Sequence, residues 1–170
     1  LLTDDAATNP AGYFSRFADP YWSGKSMLKL MQLSQVAEVV GEIEIRDQIH
    51  EAVKNGLEDW FHFNGNPNDR HFAYNAQWDT LQGYPDAFYS GQMLNDHHFH
   101  MGYLVHAAAL VGMQDPAWVA EHRAMIDLII KDVAGTDATD TMLPRLRNFS
   151  PMAGHSWASG HGAFTRGNNH

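Results

Sequence analysis

Apolar side chains recur at steps of three and four along much of this chain. After Lys25, Leu28, Met31, Gln35 and Val39 line up, with Leu30, Leu33, Val36 and Val40 beside them, and the run stops at Gly41. That is the pattern of a helix ended by a residue that tolerates left-handed backbone. Ile45, Ile49, Val53, Leu57 and then Trp60 or Phe61 form the clearest amphipathic stripe, which predicts a second helix of about five turns. A third helix is expected from about His97 to Val111, with Val105, Ala108 and Ala109 as its packing face. The fourth follows Asp115-Pro116, a capping residue with proline at the first helical position, and runs through Trp118, Met125, Ile126, Ile129 and Ile130 to Val133.

Between these stretches the pattern changes. Asn64 to Asp69 reads as a turn, and Phe72-Ala73-Tyr74 and Thr80-Leu81 predict two short strands around Asn75-Ala76-Gln77. Residues 1–24 form a lead-in segment rich in rings (Tyr13, Phe14, Phe17, Tyr21, Trp22), and Gly83 to Gly91 is a loop carrying Tyr84, Phe88 and Tyr89. Residues 135–170 are Gly-, Thr-, Asn- and Ser-rich without a sustained period. Helix pair, aromatic loop, helix pair, long loop predicts an all-α fold of helical hairpins with a short β-hairpin, and no alternation of strand and helix argues for a parallel sheet.

With 44% apolar and 18% charged residues, the 170-residue chain has the composition of a globular protein with one ordinary core. Twenty acidic against 11 basic residues give a formal charge of -9. That charge disfavours nucleic acid and anionic lipid as partners and suits a neutral or cationic ligand. No apolar stretch is long enough to span a bilayer, and no signal-peptide pattern opens the chain. The absence of cysteine excludes disulfides, thiolate nucleophiles and cysteine-ligated zinc. The start at leucine and the end within a Gly-Asn-Asn-His run suggest a fragment of a longer protein.

The densest polar cluster is Leu94-Asn95-Asp96-His97-His98-Phe99-His100-Met101-Gly102-Tyr103. A helix starting near Asp96 places Asp96 and His100 one turn apart on one face, within reach of a common ligand. Asp96 reads equally as a plain N-cap and as a catalytic carboxylate. The two roles conflict, because a helix N-terminus favours the anion whereas a general acid must hold its proton. Asp96, His97 and His98 also suggest a metal set of the kind used by manganese-dependent phosphoesterases, although adjacent histidines on a helix diverge by about 100°. The rings of Tyr74, Trp78, Tyr84, Phe88, Tyr89 and Trp157 serve either as loop anchors or as platforms for the apolar faces of pyranoses. Trp157 is the strongest of them, standing in Gly154-His155-Ser156-Trp157-Ala158-Ser159-Gly160.

These segments together resemble one family. Gly24-Lys25, Trp60-Phe61, Tyr74 through Tyr84-Pro85, LNDHHFHMGY, Asp115-Pro116-Ala117-Trp118, Pro144-Arg145-Leu146-Arg147, GHSWASG and Gly167-Asn168-Asn169 are similar, in order, to glycoside hydrolase family 81, the endo-β-1,3-glucanases. Met101 stands where that family usually has tyrosine and Asp79 where glycine is more familiar, departures expected to touch subsite lining more than chemistry.

The resemblance implies part of an (α/α)6 toroid that acts as catalytic domain, normally behind a β-sandwich domain. It implies inverting hydrolysis of internal β-1,3-glucosidic bonds in laminarin-type β-glucan, no cofactor, and a secreted protein. Asp96 would be the general acid, with His100 beside it. Tyr74, Trp78, Tyr84, Asn95, His98, Tyr103, His155, Trp157, Asn168 and Asn169 would bind substrate. The family's general base is a glutamate in the motif opened by Asn-Asn, expected directly after His170, so the fragment alone is expected to be inactive. A noncatalytic β-glucan-binding protein is the main alternative, and the metal-dependent phosphoesterase a lesser one.

Overall fold

The computed structural model describes residues 4–147 and 149–158. Four long helices carry the fold: α3 (Pro20–Val40), α4 (Ile43–Phe61), α6 (His97–Gly112) and α7 (Pro116–Ala134). Two short helices, α1 (Asp4–Thr8) and α2 (Pro10–Ser15), precede them, and α5 (Ser90–Met93) leads into α6. Two antiparallel hairpins complete the described residues: β1 (His71–Asn75) with β2 (Thr80–Tyr84), and β3 (Phe149–Ser150) with β4 (His155–Ser156). No helix among the described residues is long and apolar enough to cross a membrane.

The helical build agrees with the all-α expectation and the β1–β2 hairpin with the expected one, while β3–β4 is a second hairpin that the sequence pattern does not announce. Helix α3 starts five residues before Lys25, because Asp19 caps it by accepting from Trp22 N at 2.9 Å and Pro20 occupies the first helical turn. Its end is as expected: Gly41 takes φ 85° and its N–H reaches back to the last carbonyls. The lead-in segment is helical rather than irregular, with Asn9 capping α2 through Gly12 N at 2.9 Å. Asp115 caps α7 on Trp118 N at 3.0 Å. The 135–158 stretch contains the β3–β4 hairpin, too short to leave a period in the sequence.

Helix α3 lies at the centre, packed on α4 and α6, and α6 packs in turn on α7. Met27, Leu30 and Met31 of α3 meet Ile49, Val53, Leu57 and Trp60 of α4 and Leu104, Ala107, Ala108 and Val111 of α6 in one buried cluster. The β1–β2 hairpin closes on this core. A Cβ on Gly83 would sit 3.0 Å from Pro20 Cγ and 3.3 Å from the Trp60 ring, so a bare backbone lets the strand approach. Met101 is 1% exposed and packs with Leu81 and Ile129, so this departure from the family pattern lies in the core and not in a subsite. Asp79 sits at φ 48° in the hairpin turn, a left-handed position that explains why glycine suits it.

Apolar side chains remain exposed on the flanks of the helices, among them Val36, Val39, Val40, Ile43 and Met113. An open groove of about 290 Å³ between α6 and α7 is lined by Val105, Ala108, Val119, Ile126 and Ile130.

Candidate active site

The segment joining β2 to α6 holds four of the six non-glycine residues at positive φ among the described residues. Phe88, Tyr89, Leu94 and Asp96 all adopt positive φ, at 54°, 63°, 55° and 56°. For residues other than glycine such conformations cost about 1–3 kcal/mol each, and persist only where the surroundings over-determine them. Here they do. Gln82 Nε2 donates to the carbonyls of Ser90 and Gly91, and its Oε1 accepts from Asn75 Nδ2 and the Tyr84 hydroxyl. Asp86 accepts from Gly91 N at 3.1 Å, and Asn95 Nδ2 donates to the Phe88 carbonyl at 2.9 Å.

Asp96 stands at the end of this segment as the residue before α6. Its carbonyl accepts from Phe99 N and His100 N, both at 3.0 Å, and so starts the helix. Its side chain makes no capping hydrogen bond to the helix. The backbone of Asp96 thus begins the helix without a side-chain cap. Asn95 Nδ2 lies 3.3 Å from Asp96 Oδ2, and Asp96 N donates to the Ala158 carbonyl at 2.6 Å. That last bond brings the β3–β4 hairpin, with His155 and Trp157, against the start of α6. The His155 and Trp157 rings meet edge to face at 4.7 Å.

His100 lies one turn beyond Asp96 but is 2% exposed. Its ring packs edge-on against Tyr21 at 5.6 Å and beside Phe88 at 6.5 Å. Burial, and then the nearby His97, lower its pKa from 6.5 to about 3. Near neutral pH its ring is therefore uncharged. Burial first, then the Tyr21 hydroxyl and its charge, and then Asp96, push Tyr103 up to about 12, so it stays a phenol. Tyr21, Tyr103 and Phe88 form an aromatic wall, with ring separations of 5.5 and 4.8 Å from Tyr21.

A stability consequence follows from His100. In the folded state it takes up its proton near pH 3, whereas unfolded it does so near 6.5. Between those values the unfolded chain binds more protons, so stability present above pH 6.5 is lost as pH falls. His50 and His98, lowered mainly by burial, act in the same direction. The melting temperature is expected to drop between pH 7 and pH 4, and His100→Gln to flatten that drop by about one proton's worth of slope. Parallel melting curves for the two proteins across this range would contradict it.

The remaining expected residues are not all gathered here. His98 Nε2 donates to the Val133 carbonyl at 3.1 Å, and His97 Nε2 to Asp132 Oδ2 at 2.6 Å. The two rings lie 6.3 Å apart at 89° and serve different partners, which removes the shared point that a metal set with Asp96 requires. Among the described residues no group of three or more histidine, aspartate or glutamate side chains is placed to hold a metal. The Tyr74 hydroxyl lies 3.0 Å from Asp79 Oδ1 and 2.7 Å from the Met142 carbonyl, which share its one proton and tie the hairpin to the 137–143 loop, and Trp78 sits half-buried in the same turn. Tyr84 stacks on His71 at 5.6 Å. Asn168 and Asn169 lie outside the described residues.

Residues 3–170 match the sequence profile described as "Glycosyl hydrolase family 81 C-terminal domain". The chain belongs to glycoside hydrolase family 81. Among family 81 relatives, it is 46% identical over 153 residues to a protein of Acetivibrio thermocellus named glucan endo-1,3-beta-D-glucosidase, covering 89% of this chain and 20% of that one. A Thermobifida fusca protein of the same name is 41% identical over 167 residues, 97% of this chain and 22% of the relative. The solved structure of a family 81 glycoside hydrolase from Clostridium thermocellum (CtLam81A) superposes with a TM-score of 0.84 at 42% identity, over 99% of this chain and 25% of that chain. The family 81 chain described here thus spans about a fifth to a quarter of the length of the relatives it matches, and its helical build agrees with an α-rich, toroid-like fold.

Two residues that the sequence pattern does not single out help to build this region. Tyr21, one of the lead-in rings, joins Tyr103 and Phe88 in the aromatic wall. Asp132, between Lys131 and Val133 on α7, stands in no motif that marks it. It falls three residues after Ile129, on the buried stripe, and a carboxylate on that stripe was the available signal.

Proposed function

We propose that the protein hydrolyses internal β-1,3-glucosidic bonds of laminarin-type β-glucan with inversion, and that Asp96 is its general acid. The observation that carries this is the strained, doubly held Asp96, whose side chain leaves the helix start uncapped beside a wall of rings. The names carried by its relatives support the substrate class.

In this reading the Asp96 carboxyl gives its proton to the glycosidic oxygen as the bond to the anomeric carbon breaks. A water on the opposite face of the sugar attacks that carbon and yields its proton to a second carboxylate, roughly 6.5–9.5 Å from the first. That base comes from the family glutamate that accompanies the Asn168-Asn169 motif, in the longer protein. His100 and Tyr103, both neutral, line the acid's back wall without competing for its proton. Trp157, with Phe88, Tyr89 and Trp22, offers half-buried or exposed rings for stacking on pyranose faces. The exposed apolar flanks and the α6–α7 groove seat the other helices of an (α/α)6 catalytic domain, with a β-sandwich domain elsewhere in the protein. A polymeric substrate places the activity outside the cell.

The test is proton NMR of early products from β-1,3-glucan with the full-length enzyme: the α-anomer first supports inversion, and the β-anomer first contradicts it. Binding of β-1,3-oligosaccharides without any hydrolysis would bring the noncatalytic reading forward. Trp157→Ala is expected to raise KM about 3- to 10-fold, the value of one ring stacking, with kcat within a factor of about two; an unchanged KM would remove Trp157 from the sugar path.

A further inference from the structure

We infer that Asp132 is a positioning residue for Asp96, an inference that rests on the reading of Asp96 as the general acid. Asp132 is 0% exposed near the end of α7. Its Oδ2 accepts from His97 Nε2 at 2.6 Å and from Leu81 N at 3.3 Å. Its Oδ1 accepts from Arg147 Nη2 at 2.6 Å, and Thr80 Oγ1 lies 3.3 Å from both oxygens. Arg147, itself 5% exposed, also donates through Nε to the Asp132 carbonyl at 2.9 Å and through Nη2 to the Asp79 carbonyl. One carboxylate thus joins α6, α7, the β1–β2 hairpin and the segment leading into β3.

Two of those connections end on the residues that flank or hold Asp96. His97 follows Asp96 directly, so the His97–Asp132 bond fixes the chain on one side of the strained residue. Arg147 stands two residues before β3, and the β3–β4 hairpin delivers the Ala158 carbonyl that accepts from Asp96 N at 2.6 Å. Asp96, His97, Asp132, Arg147, the hairpin and Ala158 therefore form a closed circuit. A buried ion pair is seldom more stable than apolar side chains of the same volume, and its attested use is to specify one arrangement. Asp96 at φ 56° needs such an arrangement. The circuit sets where the acid's proton meets the glycosidic oxygen, and displacement by about 1 Å in such a geometry costs on the order of 10²-fold in rate.

The experiment measures kcat and KM for Asp96→Asn, Asp132→Asn and Arg147→Lys in the full-length enzyme. Two substrates are compared: β-1,3-glucan, and a dinitrophenyl β-laminarioside whose leaving group departs without a proton donor. Asp132→Asn and Arg147→Lys are expected to lose about 10²-fold in kcat on glucan with KM little changed, and to recover most of it on the aryl substrate, as Asp96→Asn does. A merely structural role lowers both substrates equally, and equal losses, or no loss on glucan, overturn the inference. Arg147→Lys keeps the charge and only loses the fork of hydrogen bonds, so it decides the matter if Asp132→Asn fails to fold. Recovery in Asp96→Asn alone defeats the positioning role; no recovery even in Asp96→Asn defeats the acid assignment and the inference with it.

Discussion

Replacing Asp96 by asparagine in the full-length enzyme is expected to lower kcat on β-1,3-glucan by about 10²- to 10⁴-fold, the usual contribution of a positioned general acid. KM should move little, because the amide keeps the shape of the carboxyl group and its contact with Asn95, 3.3 Å from Oδ2. The backbone role survives too, since the bonds to Ala158, Phe99 and His100 all use main-chain atoms of Asp96. Asparagine is among the residues that best tolerate positive φ, so the strain at φ 56° does not increase. The variant thus separates chemistry from folding. Steady-state kinetics with a matched melting curve check it: a drop below 10-fold, or a loss traced to unfolding, would count against the assignment.

The largest stability loss is expected at Trp60. This side chain is 1% exposed near the end of α4, and its Nε1 donates to Ser23 Oγ of α3 at 3.1 Å. Its ring meets Phe72 of β1 at 5.6 Å and supports the close passage of Gly83 in β2. Trp60→Ala removes the piece shared by two helices and the hairpin and leaves the Ser23 hydroxyl buried without its donor. A cost of about 3–5 kcal/mol is expected for so large a truncation in a core. Because β2 carries Gln82, whose amide holds the carbonyls of Ser90 and Gly91, the damage should extend to the strained segment before Asp96. Chemical denaturation of the two proteins measures it, and a change under about 1 kcal/mol would mean that the core closes over the gap.

The long helices were legible because their signals are local. The Ile49-Val53-Leu57-Trp60 stripe became the buried face of α4, and Asp115-Pro116 became the cap and first turn of α7. The same chemistry at Asp19-Pro20 is hard to see in the sequence because aromatic residues obscure the period that follows. Motif resemblance singled out Asp96, but not its geometry, since the bond that holds it comes from Ala158, far along the chain, through a hairpin with two-residue strands. His100 illustrates the limit of spacing: it lies on the face of α6 expected for a partner of Asp96, yet neighbours from α3 and the 83–91 loop bury it. The paired histidines read as possible metal ligands because sequence does not show that each is taken by a different atom of α7.

Delivery of the proton by Asp96 is tested most directly by the pH dependence of kcat/KM for the full-length enzyme. A positioned acid and base give a bell-shaped profile whose alkaline limb belongs to the acid. This limb is expected in the native protein and is expected to disappear in Asp96→Asn, leaving a rate that is low but flat toward high pH. An alkaline limb that survives unchanged in Asp96→Asn would contradict it, and the acid would have to be sought on another residue.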